Sequence, residues 1–307
     1  MMHKDTMKHE TIKASKINEK MSEKHPLKDN SPIEVAGSLL RHLVLIASSI
    51  LFAFPFFWMV MGIFKTNNEI WQTPYKILPE HFDVIGVWAS VQEIHFGKYI
   101  LNSFYVGIVG TIVMLFVTML FTYVVVFMSG RWTNRIFAVV MAIYMLPGAV
   151  TYVPSYVILS RLGLLDTLTG LMFTYLANIF AVFYLRQSFM KTSRSYIEAA
   201  RIDGASHWET LRYVVFPMNK SAFYTVFILT FVQQYNNYMW PSIMLKDQEK
   251  YLVSQGLRQF FIQDGAYGMN WSEVMLASTL TILPVIILFI LGQKWFVTGI
   301  MQDSGLK

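Results

Sequence analysis

The sequence predicts an all-α polytopic membrane protein with six transmembrane helices and both termini on one side. Three observations carry this. Apolar residues make up 54% of the 307 and charged residues only 14%, against about 25% charged in a soluble domain. Six runs approach the roughly 20 apolar residues that cross a bilayer, at about 43–64, 101–127, 136–159, 170–189, 222–244 and 273–296. Prolines also fall within or at the ends of these runs: Pro147-Gly148 and Pro154 in the third, Pro241 in the fifth, Pro284 in the sixth. A proline frees a backbone carbonyl, which lipid cannot satisfy, so such helices pack against one another in a bundle.

Taken in order, residues 1–38 form a Lys-rich polar tail with no apolar periodicity, expected to be disordered and cytosolic. The first apolar run starts too late and runs too long for a signal peptide. Residues 39–300 form the membrane domain, and 301–307 a short C-terminal tail. Lys and Arg concentrate in the tail, the second-to-third connection and the segment after the fourth span, which places those segments and both termini in the cytosol. Two longer loops face the other side. Residues 65–100 carry Trp71 and Trp88, and 245–272 carry Trp271 and the Asp264-Gly265 turn.

Several chemistries are excluded. There is no cysteine, hence no disulfide, thiolate nucleophile or Cys-ligated metal. The span interiors hold almost no ionisable residue, which argues against a proton- or sodium-coupled carrier. No His-Glu-x-x-His and no P-loop is present. No catalytic or metal-ligating residue is expected, and no cofactor on this chain.

Residues 190–221 break the apolar pattern. Ser195/Glu198 and Ser206/Glu209 each have the S-x-x-E spacing of a capping box, and Gly204 lies between them where a helix ends in a left-handed residue. The spacing predicts a helix over about 196–203, a turn at Gly204 and a second helix over about 207–216 stopped by Pro217. Trp208 is expected as a buried staple between the two, with an interface anchor as the alternative. The same stretch has the local pattern of a DNA-binding helix-turn-helix. Apolar flanks and only scattered basic residues (Arg194, Arg201, Arg212) exclude nucleic acid as the partner.

Glu198-Ala199-Ala200, three residues, Gly204, nine residues, then Val214-Val215-Phe216-Pro217 resembles the EAA loop of the permease subunits of ABC importers that depend on a substrate-binding protein. Val214 and Phe216 stand where the family usually has Ile and Leu. The resemblance implies the permease fold, a bacterial inner-membrane location and a transport subunit rather than an enzyme. It implies that Glu198, Ala199, Ala200, Asp203, Gly204 and Pro217 meet a separate cytosolic ATPase dimer, which carries ATP and Mg. It also implies a second, homologous permease completing a heterodimer among membrane lipids, and an extracytoplasmic sugar-binding protein.

Further segments resemble the carbohydrate branch, the maltose-type second permease: Leu146-Pro147-Gly148, Leu162-Gly163-Leu164-Leu165-Asp166-Thr167, Tyr175-Leu176-Ala177-Asn178, Leu185-Arg186-Gln187-Ser188-Phe189, and Asn236-Asn237-Tyr238-Met239-Trp240-Pro241. Tyr235 and Asn237 replace the Trp and Asp frequent in that branch. Gln233, Gln234, Tyr235, Asn236, Asn237 and Tyr238 form a polar-aromatic cluster within the fifth span, and these with Asn178 are the candidate pathway residues. Uncharged amides beside aromatic faces suit hydroxyl-rich neutral ligands such as an oligosaccharide or glycoside. Amides also join membrane helices to one another, which is the competing role.

Overall fold

A computed structural model describes residues 32–72, 76–82, 84–93, 95–128, 130–262 and 270–303. Most of the expected tail, the Asp264-Gly265 turn and the last four residues lie outside the described residues. The chain divides into two units, Met1–Trp58 and Met59–Lys307, with the boundary inside the first helix.

Among the described residues all regular structure is helical. Helix α1 (Pro32–Gly62) begins on a proline, which suits a first helical position because the missing N–H has no partner there anyway. Residues 32–38 are therefore helical rather than part of the expected disordered tail. Two short helices follow, α2 (Asn67–Gln72) and α3 (Ile85–Glu93), and then the long α4 (Phe96–Phe127). Next come α5 (Arg131–Tyr144), a 3₁₀ turn over Gly148–Thr151, α6 (Tyr152–Arg161), α7 (Leu168–Thr174) and α8 (Ile179–Lys191). Helices α9 (Arg194–Ile202) and α10 (His207–Met218) form the polar segment. The chain continues as α11 (Lys220–Tyr235), α12 (Met239–Met244), α13 (Val253–Ile262) and α14 (Trp271–Asp303).

Three stretches, Val35–Gly62, Phe96–Phe127 and Trp271–Lys294, are long and apolar enough to cross a membrane as single helices. Three bent pairs raise the number to six: α5 with 148–161 at 103°, α7 with α8 at 50°, and α10 with α11 at 79°. The third and fourth expected spans are thus each a broken helix. The prolines explain less of this than the sequence suggests. Pro147 precedes the first break, but Pro154 and Pro241 sit in the first turns of α6 and α12, where no hydrogen bond is lost. Pro284 lies inside the continuous α14.

The fifth span differs from expectation. Helix α11 ends at Tyr235, so Asn236, Asn237 and Tyr238 break the apolar run instead of lying inside a helix. Asparagine side chains compete with the helical ladder and favour its ends. The Asn237 side chain instead donates across the bundle to Tyr175 Oη at 3.1 Å.

Helix α4 is the central strut of the second unit. Its buried face is lined by small residues at helical spacing, Ser103, Gly107, Gly110, Thr111, Thr118 and Thr122. In lipid, helices associate through close backbone approach more than through apolar transfer, and small residues permit it. Two apolar cores result. One joins Met114 and Tyr123 of α4 to Leu185 and Phe189 of α8, Ile197 of α9, Leu211 and Val215 of α10, and Phe223 of α11. The other gathers Val106, Leu159, Leu171, Trp240, Met244 and Leu252. There Trp240 stacks on Tyr152 and donates to Thr174 Oγ1 at 3.0 Å.

Asp166 clasps the far end. It has φ 57, a left-handed conformation that Asp tolerates better than most residues. Its carboxylate accepts from the Lys246 and Asp247 backbone N–H groups at 2.9 and 3.1 Å. Burial raises this carboxyl, but those two donors and the Lys250 ammonium together hold it below the usual range.

Candidate functional site

The α9–α10 module is built on one buried stripe. Ile197, Thr210, Leu211 and Val215 are buried, and the apolar three join the core that also contains Phe189 and Phe223. The opposite surface is exposed: Tyr196, Glu198, Ala199, Ile202, Asp203 and Tyr213 all face outward. Ile202, at 86% exposure, is an apolar side chain left uncovered by the described residues.

The two ends of the turn differ in how far the sequence foretells them. Gly204 adopts φ 83. Its N–H bonds Arg201 O at 3.1 Å and the Ala205 N–H bonds Ala200 O at 2.9 Å, the paired pattern of a Schellman cap. Ser206 and Glu209 form the expected capping box. Glu209 Oε2 accepts from the Ser206 N–H at 2.8 Å, and the Glu209 N–H donates to Ser206 Oγ at 3.2 Å. The Ser206 hydroxyl first, and then its N–H, lower the Glu209 carboxyl below the usual range.

The Ser195/Glu198 box does not form. Ser193 is the N-cap and accepts from the Ser195 N–H, so Ser195 lies inside the first turn and its hydroxyl pairs with Ser193 Oγ at 2.8 Å. Glu198 is left mid-helix and exposed, and Asp203 occupies the C-cap. Pro217 does not stop the second helix either, which runs to Met218. Residues Leu211–Val215 form a π turn in which the Phe216 N–H reaches Leu211 O. The wider turn shifts the ladder just ahead of the proline, where an α-helical carbonyl would clash with its ring. Trp208 is not a buried staple. It is 47% exposed and meets Phe116 of α4 edge-on at 6.2 Å.

Two polar contacts that the sequence does not advertise fasten this module to the membrane helices. Asn219, 5% exposed, lies at the α10–α11 bend. It accepts from Ser188 Oγ at 2.6 Å and donates to Thr192 Oγ1 at 3.0 Å and Val215 O at 2.8 Å. One side chain thus ties the end of α8, the end of α10 and the start of α11. His207 Nδ1 lies 3.2 Å from Tyr123 Oη on α4 and 3.4 Å from Arg201 on α9. An isolated Asn after Pro217 is the only sequence signal for the first of these.

The candidate pathway residues divide. A cleft of about 670 Å³ opens among α5, the α7–α8 break and the end of α11. It brings together Asn178, Gln233, Gln234 and Asn237, with Thr174 and Tyr175 beside them. Gln234 is 3% exposed, and neither of its amide atoms has a hydrogen-bond partner among the described residues. Leaving a buried amide unpaired costs about 1–3 kcal/mol. Asn178 has a structural duty as well, its Oδ1 capping α8 through the Ala181 N–H at 3.0 Å. Tyr235 turns away, buried against α14 and donating to Thr281 O at 3.1 Å. Asn236 is exposed and does not line the cleft. Tyr238 holds Arg258 through its hydroxyl and ring face.

Comparison with known proteins agrees with this architecture. Residues 126–302 match the family described as the inner membrane component of binding-protein-dependent transport systems. The sn-glycerol-3-phosphate transport system permease protein UgpE of Yersinia pestis is 30% identical over 269 residues, 86% of this chain and 95% of that one. The protein of the same name from Pectobacterium atrosepticum is 29% identical over 276 residues, 87% and 96% of the two chains. A crystal structure of a bacterial ABC transporter involved in import of the acidic polysaccharide alginate shares the fold, with a TM-score of 0.73 over 87% of this chain and 98% of that one at 21% identity. The chain therefore belongs to the binding-protein-dependent transport family, as a multi-pass inner-membrane permease subunit that carries no ATPase of its own.

Proposed function

We propose that this chain is one of two permease halves of an ATP-driven importer of carbohydrate, an oligosaccharide or a glycoside. A second, homologous permease completes the pathway, and an ATPase dimer in the cytosol holds ATP and Mg. The observation that carries this reading is the α9–α10 module: a capped, rigid pair of helices seated on the bundle by Ile197, Leu211 and Val215, with Glu198, Ala199, Ile202 and Asp203 exposed. The clustering of Lys and Arg supports a cytosolic position for this module and for both termini.

The lever works through the contacts described. When the ATPases close on ATP, the seated module moves as one body, because its turn is fixed by two caps. Asn219 passes that motion to α8 and α11, the two helices that flank the cleft. The pathway then alternates between two access states whose balance nucleotide and loaded binding protein shift. The extracytoplasmic partner is a sugar-binding protein that delivers ligand to the opposite face. Kinship with proteins named for sn-glycerol-3-phosphate favours a second reading, a small phosphorylated polyol. Among the described residues the cleft lining is uncharged, which weighs against it.

The chain has no cysteine, so Ala199→Cys supplies one defined thiol. Expressed with its ATPase, this variant is expected to cross-link to the nucleotide-binding subunit, with a yield that changes on adding ATP. A cysteine at exposed Ile85 serves as control. Equal cross-linking from both positions, or none from Ala199→Cys, would contradict the reading.

A further inference from the structure

Helices α4 and α11 meet closely at Gly107, where a Cβ would come within 2.7 Å of the Phe231 ring. Nearer the α9–α10 module a groove of about 440 Å³ lies between them. Its walls include Ile112, Phe116 and Met119 of α4, Phe216 of α10, and Phe223 and Phe227 of α11. Only Lys220 and Tyr224 bring polar atoms to it among the described residues. Ile112 and Phe116 are exposed, so the groove opens on the outer surface of the bundle. From Ile112 to Met119 and from Lys220 to Phe227 it runs about 10 Å along each helix. That is about two-thirds of one leaflet's hydrocarbon depth, and far short of a crossing helix.

The residues at one end belong at headgroup level. Trp208 is half exposed and meets Phe116 of the groove wall edge-on, as an indole does where bilayer and water meet. Lys220 is exposed and opens α11, with its stem on the groove and its ammonium free to reach outward. Arg212 stands on α10 between Trp208 and Phe216, also exposed. Among the described residues neither cation forms an ion pair. Glu209, the acid nearest to both in sequence, is turned back onto Ser206.

An acyl chain gains little by leaving other lipid tails for an apolar groove. Selectivity therefore has to come from the head, and the groups at that level are cations, which match a phosphate. A protein helix seated here would have to bring a carboxylate to the same depth. A leaflet supplies phosphate there already. Resting on the cytosolic placement of the module put forward above, we propose that the α4–α11 groove is a binding site for one anionic phospholipid of the cytosolic leaflet, with an acyl chain along Phe116, Phe223 and Phe227 and the phosphate on Lys220 and Arg212. The occupant also braces the α10–α11 bend, because Phe216 and Phe223, whose rings meet at 4.9 Å, flank it on the two helices.

The test uses the full chain in mild detergent, with whatever subunits co-purify, titrated with dioleoyl phosphatidylglycerol or dioleoyl phosphatidylcholine under native mass spectrometry. Retention of one phosphatidylglycerol in preference to phosphatidylcholine is expected. Lys220→Gln should weaken phosphatidylglycerol about fivefold, the worth of one interfacial cation, and Lys220→Gln with Arg212→Gln on the order of 25-fold. Lys220→Arg should bind as the wild type does. Met119→Trp, which fills the groove and keeps both charges, should weaken phosphatidylglycerol too. In nanodiscs, amide exchange over 216–223 should be slower with phosphatidylglycerol than with phosphatidylcholine, and the double variant should lose that difference. Equal retention of the two lipids, or wild-type phosphatidylglycerol binding by the double variant or by Met119→Trp, would overturn the proposal. So would photo-cross-linking of benzophenone-labelled Phe116→Cys to a second membrane subunit in place of lipid. All of these leave the permease reading standing. Exposed Tyr213→Cys should react with an impermeant maleimide from the cytosolic side only; labelling from outside would remove the leaflet assignment and the cytosolic placement of the module together.

Discussion

Gly204 bears the sharpest residue-level constraint in the α9–α10 module. At φ 83 with nothing within 4 Å of a built Cβ, a larger side chain meets no neighbour, and its whole effect falls on the backbone. A β-branched residue in the left-handed region costs about 1–2 kcal/mol. Gly204→Val is therefore expected to insert and assemble normally yet hydrolyse ATP with little uptake, because the turn that sets the angle between α9 and α10 relaxes. Parallel assays of ATP hydrolysis and transport check this, and wild-type coupling in an assembled complex would count against the lever. Ser206 is the second such residue. Ser206→Ala removes an N-cap worth about 1 kcal/mol and should speed amide exchange over 207–210. The box also has a pH signature. The Glu209 carboxyl is lowered in the folded state by Ser206, so its contribution is complete above the usual glutamate range. It fades as pH falls through the lower folded value, and the same amides should then exchange faster in the wild type and not in Ser206→Ala.

At the scale of elements, Asn219 is the joint. Ser188, Thr192 and Val215 all bond to this one buried side chain. Asn219→Ala strands a donor or acceptor on each partner and should cost about 1–3 kcal/mol, read as a lower thermal midpoint by tryptophan fluorescence in nanodiscs. Transport is expected to fall further than stability alone explains, since α8 and α11 lose their common tie to the module; a variant that loses stability and transport in proportion would confine Asn219 to a structural role. Only the isolated Asn after Pro217 hinted at this joint, because two of its three partners lie 31 and 27 residues away along the chain. The π turn was hidden for a related reason. Pro217 reads locally as a stop, and only the widened ladder ahead of it shows how the helix continues to Met218. What local chemistry fixes was legible: the Ser206/Glu209 box, the left-handed Gly204, and the break at Pro147-Gly148. The Ser195 box failed because Ser193, two residues earlier, makes the competing cap.

For the whole molecule, composition and run length were enough to indicate a helical membrane protein, since lipid leaves a chain of this apolarity few alternatives. They were too coarse to show that only three crossings are single helices and that six require each of three bent pairs, at 50° to 103°, to serve as one span. The polar cluster of the fifth span shows the limit most clearly. Gln234 and Asn237 reach the cleft, Tyr235 serves as a tie to α14, and Asn236 and Tyr238 point elsewhere. Adjacent residues at a helix end diverge by roughly 100° each, so a run of polar letters cannot all face one cavity. The exposed rim of the module, the uncharged cleft and the joint between them make one mechanical unit only if a motor docks on the rim. The most direct measurement is purification of the tagged chain in mild detergent with mass spectrometry of its companions. A second permease and a P-loop ATPase should be recovered with the wild type, and the ATPase should be lost when Glu198 and Gly204 are both substituted. Recovery of the chain alone, or an ATPase that stays bound to the doubly substituted chain, would contradict the account.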